Sequence, residues 1–398
     1  MRRIGRILIG GLAAFLAFGG SASAAYPGAN GVVAFTSTQD GGARHIFVTT
    51  ATGIQDLTGL GSPYADTGPE FSPDGRQIAF TRGGGGLPNA EVFVMGASGE
   101  SPHALTNSPT GATDPTWSPD GKRIAFIGIG PNTIPDIWVM NADGSHARQI
   151  TNDAASESEL AWSPRGDRLA FVGVPAGGGD RDIYTINPDG SGRIDLTSDP
   201  TSYDLNPDYS PDGSQIVYSG PHHPKGSVGG DLWIMGADGS GPHPLEHESN
   251  GYSDGDFPAW SPDGTTIAFA ANNGSGYYHL WSIPVGGGEN SPLVANAIPG
   301  GNPGDQEVDW QPLVPLADIT GAKVAKRKGK ASFRFTLSGP ATGARCALAR
   351  ERHQARFSGC SSPQAYRHLK PGHYTFEVVA VNSTDQSPAP ATRAFTIK

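Results

Sequence analysis

Acidic side chains recur along this sequence about five residues ahead of a repeated aromatic position. The residues in this set are Asp66, Glu157, Asp204, Asp254 and Asp305. If they surround one opening, they focus a negative potential that attracts a basic peptide or a cation, and Ca²⁺ is the candidate cofactor. The alternative is structural, because an aspartate also caps its own loop or ties neighbouring segments through backbone amides.

Histidines offer a second set of candidate ligands. His222 and His223 lie in one loop, and His247 follows a short segment that ends near His243. Loops on one face of a fold can bring such side chains together, which predicts a Zn²⁺ or Mn²⁺ site. The alternative is that they are surface histidines in loops rich in Gly and Pro.

The sequence offers no convincing catalytic motif. It contains no phosphate-binding Gly-Lys-Ser/Thr loop and no His-Glu-x-x-His motif. A Gly-x-Ser-x-Gly string occurs at residues 251–255, but it lies within the β-repeats and no α/β segment is predicted that could host a hydrolase nucleophile elbow. The repeated Asp-Gly-Ser runs are typical of tight turns. The sequence therefore favours a non-enzymatic binding or scaffold protein. The alternative is a metal-assisted hydrolase or lyase acting on a carbohydrate or lactone.

A turn motif of an aromatic residue followed by Ser-Pro-Asp-Gly organises most of the chain. Its serines, and the glutamine of a degenerate last copy, are Ser72, Ser118, Ser163, Ser210, Ser261 and Gln311. Successive copies are 45 to 51 residues apart, which is the period of a four-stranded propeller blade. Proline presets φ at such a turn and glycine takes the left-handed position, so each motif predicts a β-hairpin.

The ends of the repeat array predict a closed ring. Residues 31–35 match the second strand of a blade whose innermost strand is missing at the N-terminal end, and residues 307–310 supply that strand. Six blades then leave no sheet edge open around the ring. In this geometry the acidic positions lie at one mouth of the axial channel.

The repeats resemble the TolB-like (WD40-like) β-propeller family, which has the same aromatic-Ser-Pro-Asp-Gly turn, the Ile-Ala-Phe strand seen at residues 78–80 and the Asp-Gly-Ser turn. The resemblance covers residues 26–312. It implies a six-bladed propeller that binds a protein or peptide, because family members work in envelope protein complexes. Similar propellers gate peptidases or serve as binding modules.

Residues 317–398 form a different module. They contain strand-like alternation and hold both cysteines, Cys346 and Cys360, which we expect to form a disulfide in an exported protein; two free thiols are the alternative. The segment resembles bacterial Ig-like modules. The predicted fold is thus all-β, with a propeller at residues 25–316 followed by a small Ig-like β-sandwich at residues 317–398.

Targeting and charge complete the prediction. Residues 1–24 have a basic start, an apolar run and a small-residue cleavage motif at Ala22-Ser23-Ala24, which predicts a signal peptide and a secreted or periplasmic protein without a membrane span in its mature chain. Residues 25–316 contain 11 basic and 34 acidic residues, which disfavours nucleic acid as a partner. Residues 317–398 contain 14 basic and 4 acidic residues. They are expected to contact an anionic envelope polymer, to dock on the acidic module, or only to form a solvated face.

Overall fold

The computed structural model describes residues 25–38, 43–51, 53–59, 62–85, 89–130, 133–198, 203–220, 231–245, 253–272, 278–293, 306–350, 356–382, 387 and 390–398. Within these ranges the only helical element is a 3-10 helix at Lys326–Lys328. The predicted all-β fold is confirmed. Its physical origin is a chain with 57 Gly and 34 Pro, residues that interrupt helices and favour turns.

The first 24 strands form the repeat array. In chain order they are β1 (Ala29–Ser37), β2 (His45–Thr50), β3 (Gly53–Asp56), β4 (Tyr64–Phe71), β5 (Gln77–Gly84), β6 (Glu91–Gly96), β7 (His103–Ala104), β8 (Ala112–Trp117), β9 (Arg123–Ile129), β10 (Pro135–Asn141), β11 (Arg148–Gln149), β12 (Ser156–Trp162), β13 (Leu169–Val174), β14 (Asp182–Ile186), β15 (Ile194–Asp195), β16 (Leu205–Tyr209), β17 (Gln215–Gly220), β18 (Asp231–Gly236), β19 (His243–Pro244), β20 (Ser253–Trp260), β21 (Thr266–Asn272), β22 (Tyr278–Pro284), β23 (Ser291–Pro292) and β24 (Gln306–Leu313).

These strands form six antiparallel four-stranded sheets, which are the blades of a propeller. Blade 1 has the strand order β24-β1-β2-β3, and blades 2 to 6 are β4 to β7, β8 to β11, β12 to β15, β16 to β19 and β20 to β23. The innermost strands are β4, β8, β12, β16, β20 and β24. Each of them contacts the innermost strands of both neighbouring blades, so the ring is closed.

Blade 1 closes the ring by combining the two ends of the array. Strand β24 pairs with β1 in an antiparallel ladder in which Val33 faces Trp310 and Ala34 faces Asp309. The expected closure by residues 307–310 is therefore confirmed. Strand β24 thus covers the edge that β1 would otherwise expose, and an exposed strand edge is a site of strand-to-strand aggregation.

The Ser-Pro-Asp-Gly motif forms the hairpin turn between the first two strands of a blade. In blade 2 the hydroxyl of Ser72 donates to Asp74 Oδ1 at 2.7 Å, and the amide of Gly75 donates to the carbonyl of Ser72 at 2.7 Å. Gly75 has φ of +67°, a conformation that L side chains rarely adopt. The turn aspartate is thus occupied by its own hairpin, as the sequence predicts.

The core lies between neighbouring blades. The aromatic residue at the end of each of the inner strands of blades 2 to 6 is at most 2% exposed; these residues are Phe71, Trp117, Trp162, Tyr209 and Trp260. One cluster joins residues of blades 2, 3 and 4 around Trp117 and Trp162. Fully burying a large apolar side chain contributes about 1.5–3 kcal/mol, so this repeated position holds each blade against the next.

The C-terminal module is a β-sandwich. Its strands are β25 (Leu316–Ala325), β26 (Lys330–Ser338), β27 (Gly343–Arg350), β28 (Ser358–Cys360), β29 (Gln364–Tyr366), β30 (Gly372–Val381) and β31 (Ala391–Ile397). They form a three-stranded sheet, β25-β26-β29, and a four-stranded sheet, β28-β27-β30-β31. Phe333 of one sheet stacks on Phe376 of the other, with ring centroids 4.2 Å apart.

The predicted disulfide between Cys346 and Cys360 is present and joins β27 to β28. The similarity of this sandwich to Ig-like modules stays a prediction.

The sandwich contacts the propeller at the face that carries the Ser-Pro-Asp-Gly turns. Arg76, which follows the turn of blade 2, forms two hydrogen bonds to Asp318 at 3.1 and 2.6 Å. Leu316, Ala317 and Ala391 of the sandwich line a shared recess with the turns of blades 2 and 3. The opposite face of the propeller, which we call the mouth, carries the loops that lead into the innermost strands. The described residues include no helix with the length and apolar character needed to cross a membrane.

Candidate functional site

The axial channel is lined by acidic residues at three levels, counted from the aromatic residue at the end of each innermost strand. The outer level stands five residues before it: Asp66, Ala112, Glu157, Asp204, Gly255 and Asp305. The middle level stands three before it: Gly68, Asp114, Glu159, Asn206, Phe257 and Glu307. The deep level stands directly before it: Glu70, Thr116, Ala161, Asp208, Ala259 and Asp309. The six innermost strands contain no Lys, Arg or His.

At the outer level Asp66 is held by a guanidinium of its own blade. Asp66 is 0% exposed, and Arg82 donates to its two carboxylate oxygens at 2.6 and 2.8 Å. The guanidinium carbon of Arg82 lies 5.0 Å from the ring centroids of both Tyr64 and Phe93. This bidentate, ring-stacked geometry is the one in which arginine binds a carboxylate most specifically.

Glu157 repeats that arrangement in blade 4. Arg193 donates to Oε1 of Glu157 at 3.0 Å and stacks 4.6 Å from the ring of Tyr184. Thr151 donates to Oε2 at 3.1 Å. Burial raises the pKa of Glu157 to about 7, although Arg193 and Thr151 lower it. Two of the predicted mouth residues are therefore buried and bound by arginine.

The other predicted site residues are resolved to different degrees. Asp204 is 2% exposed. Burial of Tyr218 raises the pKa of that tyrosine, and the charge of Asp204 raises it further. Only the backbone of Asp254, within β20, is described. The remaining predicted residues, Asp305, His222, His223 and His247, lie outside the described residues. In the part of the chain that is described, no group of three or more His, Cys, Asp or Glu side chains could hold a metal ion. The mouth and metal sites stay predictions.

The middle level forms a ring of backbone bulges that sequence reasoning missed. All six of its residues have φ between 51° and 59°. Their side chains link neighbouring blades: Glu307 Oε2 of blade 1 accepts from the amide of Gly68 in blade 2 at 2.7 Å. Glu159 Oε2 of blade 4 accepts from the amide of Asn206 in blade 5, also at 2.7 Å.

Burial shifts the titration of these middle-level acids. It raises the pKa of Glu159 to about 8, against the lowering effects of its hydrogen bond from Asn206 and the charge of Arg181. Burial likewise raises the pKa of Glu307, while Arg44 lowers it. Burial thus favours the protonated form of both middle-level carboxyl groups.

The acids of the deep level tie three pairs of neighbouring blades together. Glu70 Oε1 accepts from the amide of Trp117 at 2.8 Å, Asp208 Oδ2 from that of Trp260 at 2.6 Å, and Asp309 Oδ2 from that of Phe71 at 2.6 Å. Each acceptor belongs to one blade and each donor to the following blade. An acid directly before the repeated aromatic residue in three of six copies was the signal that could have revealed this ring.

The N-terminal segment enters the channel at the deep level. Ala25 and Tyr26 are each 3% exposed. The amide nitrogen of Ala25 donates to Asp208 Oδ1 at 3.2 Å. The hydroxyl of Tyr26 donates to the carbonyl of Trp117 and lies 3.3 Å from Glu70 Oε1. The first described residues therefore fill the axis between blades 2, 3 and 5.

An apolar groove of about 440 Å³ lies outside the channel, between blades 2 and 3. Its walls include Leu105, Phe126, Ile129 and Trp138. Gly128 lines the groove as well. A Cβ at this position would lie 2.8 Å from the indole of Trp138, so a larger residue would not fit without a shift of that ring. The groove is a recess for an apolar group and holds no acid-base pair.

The geometry defines a class of protein, a six-bladed β-propeller with an acid-lined axis. Its described carboxylates bind arginines, backbone amides and the N-terminal segment. What such a site does best is electrostatic recognition of positive groups.

Comparison with known proteins narrows the class to a family. The TolB beta propeller domain matches residues 23–251 and 129–298. The chain therefore belongs to the TolB β-propeller domain family.

Solved structures of similar fold include TolB from Acinetobacter baumannii, with a TM-score of 0.56 and 20% identity over 71% of this chain and 67% of that one. The structure of putative TolB from Agrobacterium tumefaciens has a TM-score of 0.50 and 19% identity, covering 71% of this chain and 99% of that one. A curated relative, the uncharacterized peptidase YuxL of Bacillus subtilis, is 32% identical over 90 residues, which is 22% of this chain and 13% of the relative. The chain thus matches only a small part of that protein.

Proposed function

We propose that this protein is an exported, non-enzymatic binding protein of the cell envelope or extracellular space, and that its propeller mouth receives a basic segment of a protein or peptide partner. The observation that carries the proposal is the composition of the innermost strands. They contain acids at three levels and no Lys, Arg or His. Arg82 and Arg193 neutralise Asp66 and Glu157, so the attraction for positive groups comes from the other acids of the opening.

The outer level supports a preference for arginine-like groups. Asp66 and Glu157 both bind a guanidinium that is stacked on aromatic rings of the same blade. Acid and aromatic side chains at this level therefore select a flat cation that can form two hydrogen bonds at once. A partner segment that contains arginine offers the same chemistry.

The position of the sandwich supports the choice of face. The contact of Arg76 with Asp318 holds the sandwich against the turn face. The mouth is on the opposite side of the ring, so a partner can approach it without displacing the sandwich. Membership of a TolB-like propeller family supports a protein or peptide as that partner.

The basic sandwich supplies a second contact in this proposal. Lys326, Arg327, Lys328 and Lys330 are all exposed on it. Such a group of cations favours an anionic polymer of the envelope as its partner.

The test is a titration of the protein with a fluorescent nona-arginine peptide, with nona-glutamate as the control peptide. We expect binding of nona-arginine alone, and an affinity that falls as salt is raised, because screening weakens charge attraction.

A pair of variants with equal charge locates the site. Asp153 lies in the loop before the innermost strand β12 and accepts from Arg193 at 3.1 Å, so it belongs to the mouth. Asp153→Asn with Asp204→Asn removes two charges at the mouth, and Asp120→Asn with Asp263→Asn removes two at the turn face. Weaker binding by the mouth variant alone supports the proposal. Equal weakening by both variants, or binding of both peptides by the parent protein, contradicts it.

A further inference from the structure

The deep level of the channel holds buried carboxyl groups whose strongest electrostatic neighbours are other carboxylates. Glu70 and Asp208 are both 0% exposed. After burial, the charge of Asp309 is the main electrostatic influence that raises the pKa of Glu70 and of Asp208. Oε2 of Glu70 is buried and has no hydrogen-bond partner. Such a buried carboxyl group is stable in its ionised form only when a positive charge lies nearby.

The N-terminal segment brings a nitrogen to this position. The backbone nitrogen of Ala25 lies 3.2 Å from Oδ1 of Asp208. The innermost strands contain no basic residue, and no described side-chain group of this kind is arranged to hold a metal ion. The N-terminal segment is therefore the element that can bring a cation to the deep level.

The sequence predicts that the nitrogen of Ala25 changes its chemical form when the signal peptide is removed. The predicted cleavage motif Ala22-Ser23-Ala24 ends directly before Ala25. Hydrolysis of the Ala24–Ala25 amide by a signal peptidase consumes one water and releases the carboxylate of Ala24 and the α-ammonium of Ala25. An amide nitrogen at this position has one proton and no charge, whereas the ammonium has three protons and a unit positive charge.

We propose that the deep level of the channel is a binding site for the chain's own α-ammonium group, and that cleavage before Ala25 creates the ligand that completes the propeller. The ammonium pairs with Asp208 and supplies its other protons to the remaining oxygens of the cluster. Coulomb attraction is much stronger in such a water-poor site than at the surface.

The surrounding contacts fit a segment that is docked for this purpose. Tyr26 is fixed by the carbonyl of Trp117 and by Glu70. The amide of Gly28 donates to the carbonyl of Pro262 at 3.1 Å, and Asn30 accepts from the amide of Asp263 at 3.1 Å. Residues 25–30 are thereby held from the deep level to the turn face, which sets the position of the Ala25 nitrogen.

The first experiment uses the full chain, exported and processed by a bacterial host. N-terminal sequencing is expected to begin with Ala25. Labelling of the native protein with an amine-reactive ester is expected to modify lysines at least about tenfold faster than the α-amine, because closure of the ring excludes the reagent. In urea the difference is expected to disappear. The proposal is overturned if sequencing begins with a different residue. It is also overturned if the α-amine of the native protein reacts as fast as the lysines.

The second experiment moves the ammonium. Inserting Gly-Ser between Ala24 and Ala25 shifts the new N-terminus by about 7 Å. The same dipeptide inserted between Gly178 and Gly179, in an exposed loop, is the matched control. We expect the melting temperature to fall by at least about 5 °C in the first variant and to stay within about 1 °C in the control.

A double-mutant cycle with Asp208→Asn separates charge pairing from steric damage. Asp208→Asn is expected to lower the melting temperature of the parent protein much more than that of the Gly-Ser variant, because the latter has already lost the pair. Additive effects of the two changes overturn the proposal. If the insertion variant does not fold, the labelling experiment on the parent protein still decides the question.

Discussion

The outer and deep levels of the channel use the same kind of side chain in two different ways. At the outer level, Asp66 and Glu157 are bound by arginines that stack on aromatic rings of the same blade. At the deep level, Glu70 and Asp208 accept from backbone amides of the next blade. The outer acids therefore fasten the interior of a blade, and the deep acids fasten one blade to another.

This difference teaches that the partner of a buried acid, and not its burial, sets its chemical role. Arginine has a fixed charge and demands a charged partner. A backbone amide is neutral and is satisfied by any oxygen acceptor. Substitutions that remove charge but keep an acceptor oxygen should therefore be costly at the outer level and mild at Glu70, whose donors are neutral.

The largest effect is expected from Asp66→Asn. This change leaves the guanidinium of Arg82 buried among aromatic rings without a counter-charge, which should reduce the free energy of unfolding by about 3–5 kcal/mol. Urea denaturation measures it. Asp318→Asn, which breaks the exposed pair with Arg76, is the matched control and should cost at most about 1 kcal/mol. Equal costs for the two variants would remove the distinction between the levels.

The pH dependence of stability should be the next largest effect. The pKa of Glu159 is about 8 in the folded protein and 4.5 for the free side chain, so the folded state binds more protons between these values. The contribution of Glu159 to the free energy of unfolding is then fully present below about pH 4.5 and is lost as the pH rises through about 8. This contribution is about 1.4 kcal/mol for each unit of pKa shift.

Thermal unfolding between pH 4.5 and pH 8.5 measures this loss, and Glu159→Gln should flatten the curve. A variant whose curve parallels that of the parent protein would mean that Glu159 is ionised in the fold throughout this range.

A smaller effect is expected from Tyr26→Phe. The variant keeps the ring but leaves the carbonyl of Trp117 without its donor in a buried site, which should cost about 1–2 kcal/mol. Tyr203→Phe, at a half-buried position beside Arg181, provides the control. No loss of stability on removing the hydroxyl of Tyr26 would show that the N-terminal segment is not anchored at the deep level.

The smallest effect is expected from Glu70→Gln. The amide oxygen of glutamine can accept the same bonds from Thr116 and Trp117 that Oε1 accepts now. The change should therefore alter the free energy of unfolding by about 1 kcal/mol or less. A loss as large as that of Asp66→Asn would show that the deep carboxyl is needed in its charged form.

The fold was predictable because its causes are local and repeated. Each Ser-Pro-Asp-Gly turn fixes a hairpin by itself, and the spacing of Ser72, Ser118 and Ser163 then counts the blades. Closure by β24 followed from the match between residues 31–35 and a second strand.

Only the outermost acids of the channel could be predicted from the sequence. The positions of Asp66 and Glu157 follow from the repeat, but their arginines do not, because Arg82 lies in β5 whereas Arg193 directly precedes β15. The middle-level bulges depend on contacts between blades. The burial of Ala25 depends on the closed ring, which no short stretch of sequence encodes.

The closing strand also determines how the molecule responds to a mechanical load. Strand β24 ends at Leu313 and β25 of the sandwich begins at Leu316, so the two modules are joined by two residues. A pull on the sandwich, for example through a tethered envelope polymer, is transmitted to the ladder between β24 and β1. That ladder is loaded along the strand, and its hydrogen bonds then share the force. The ring is therefore expected to resist tension until the whole ladder yields at once.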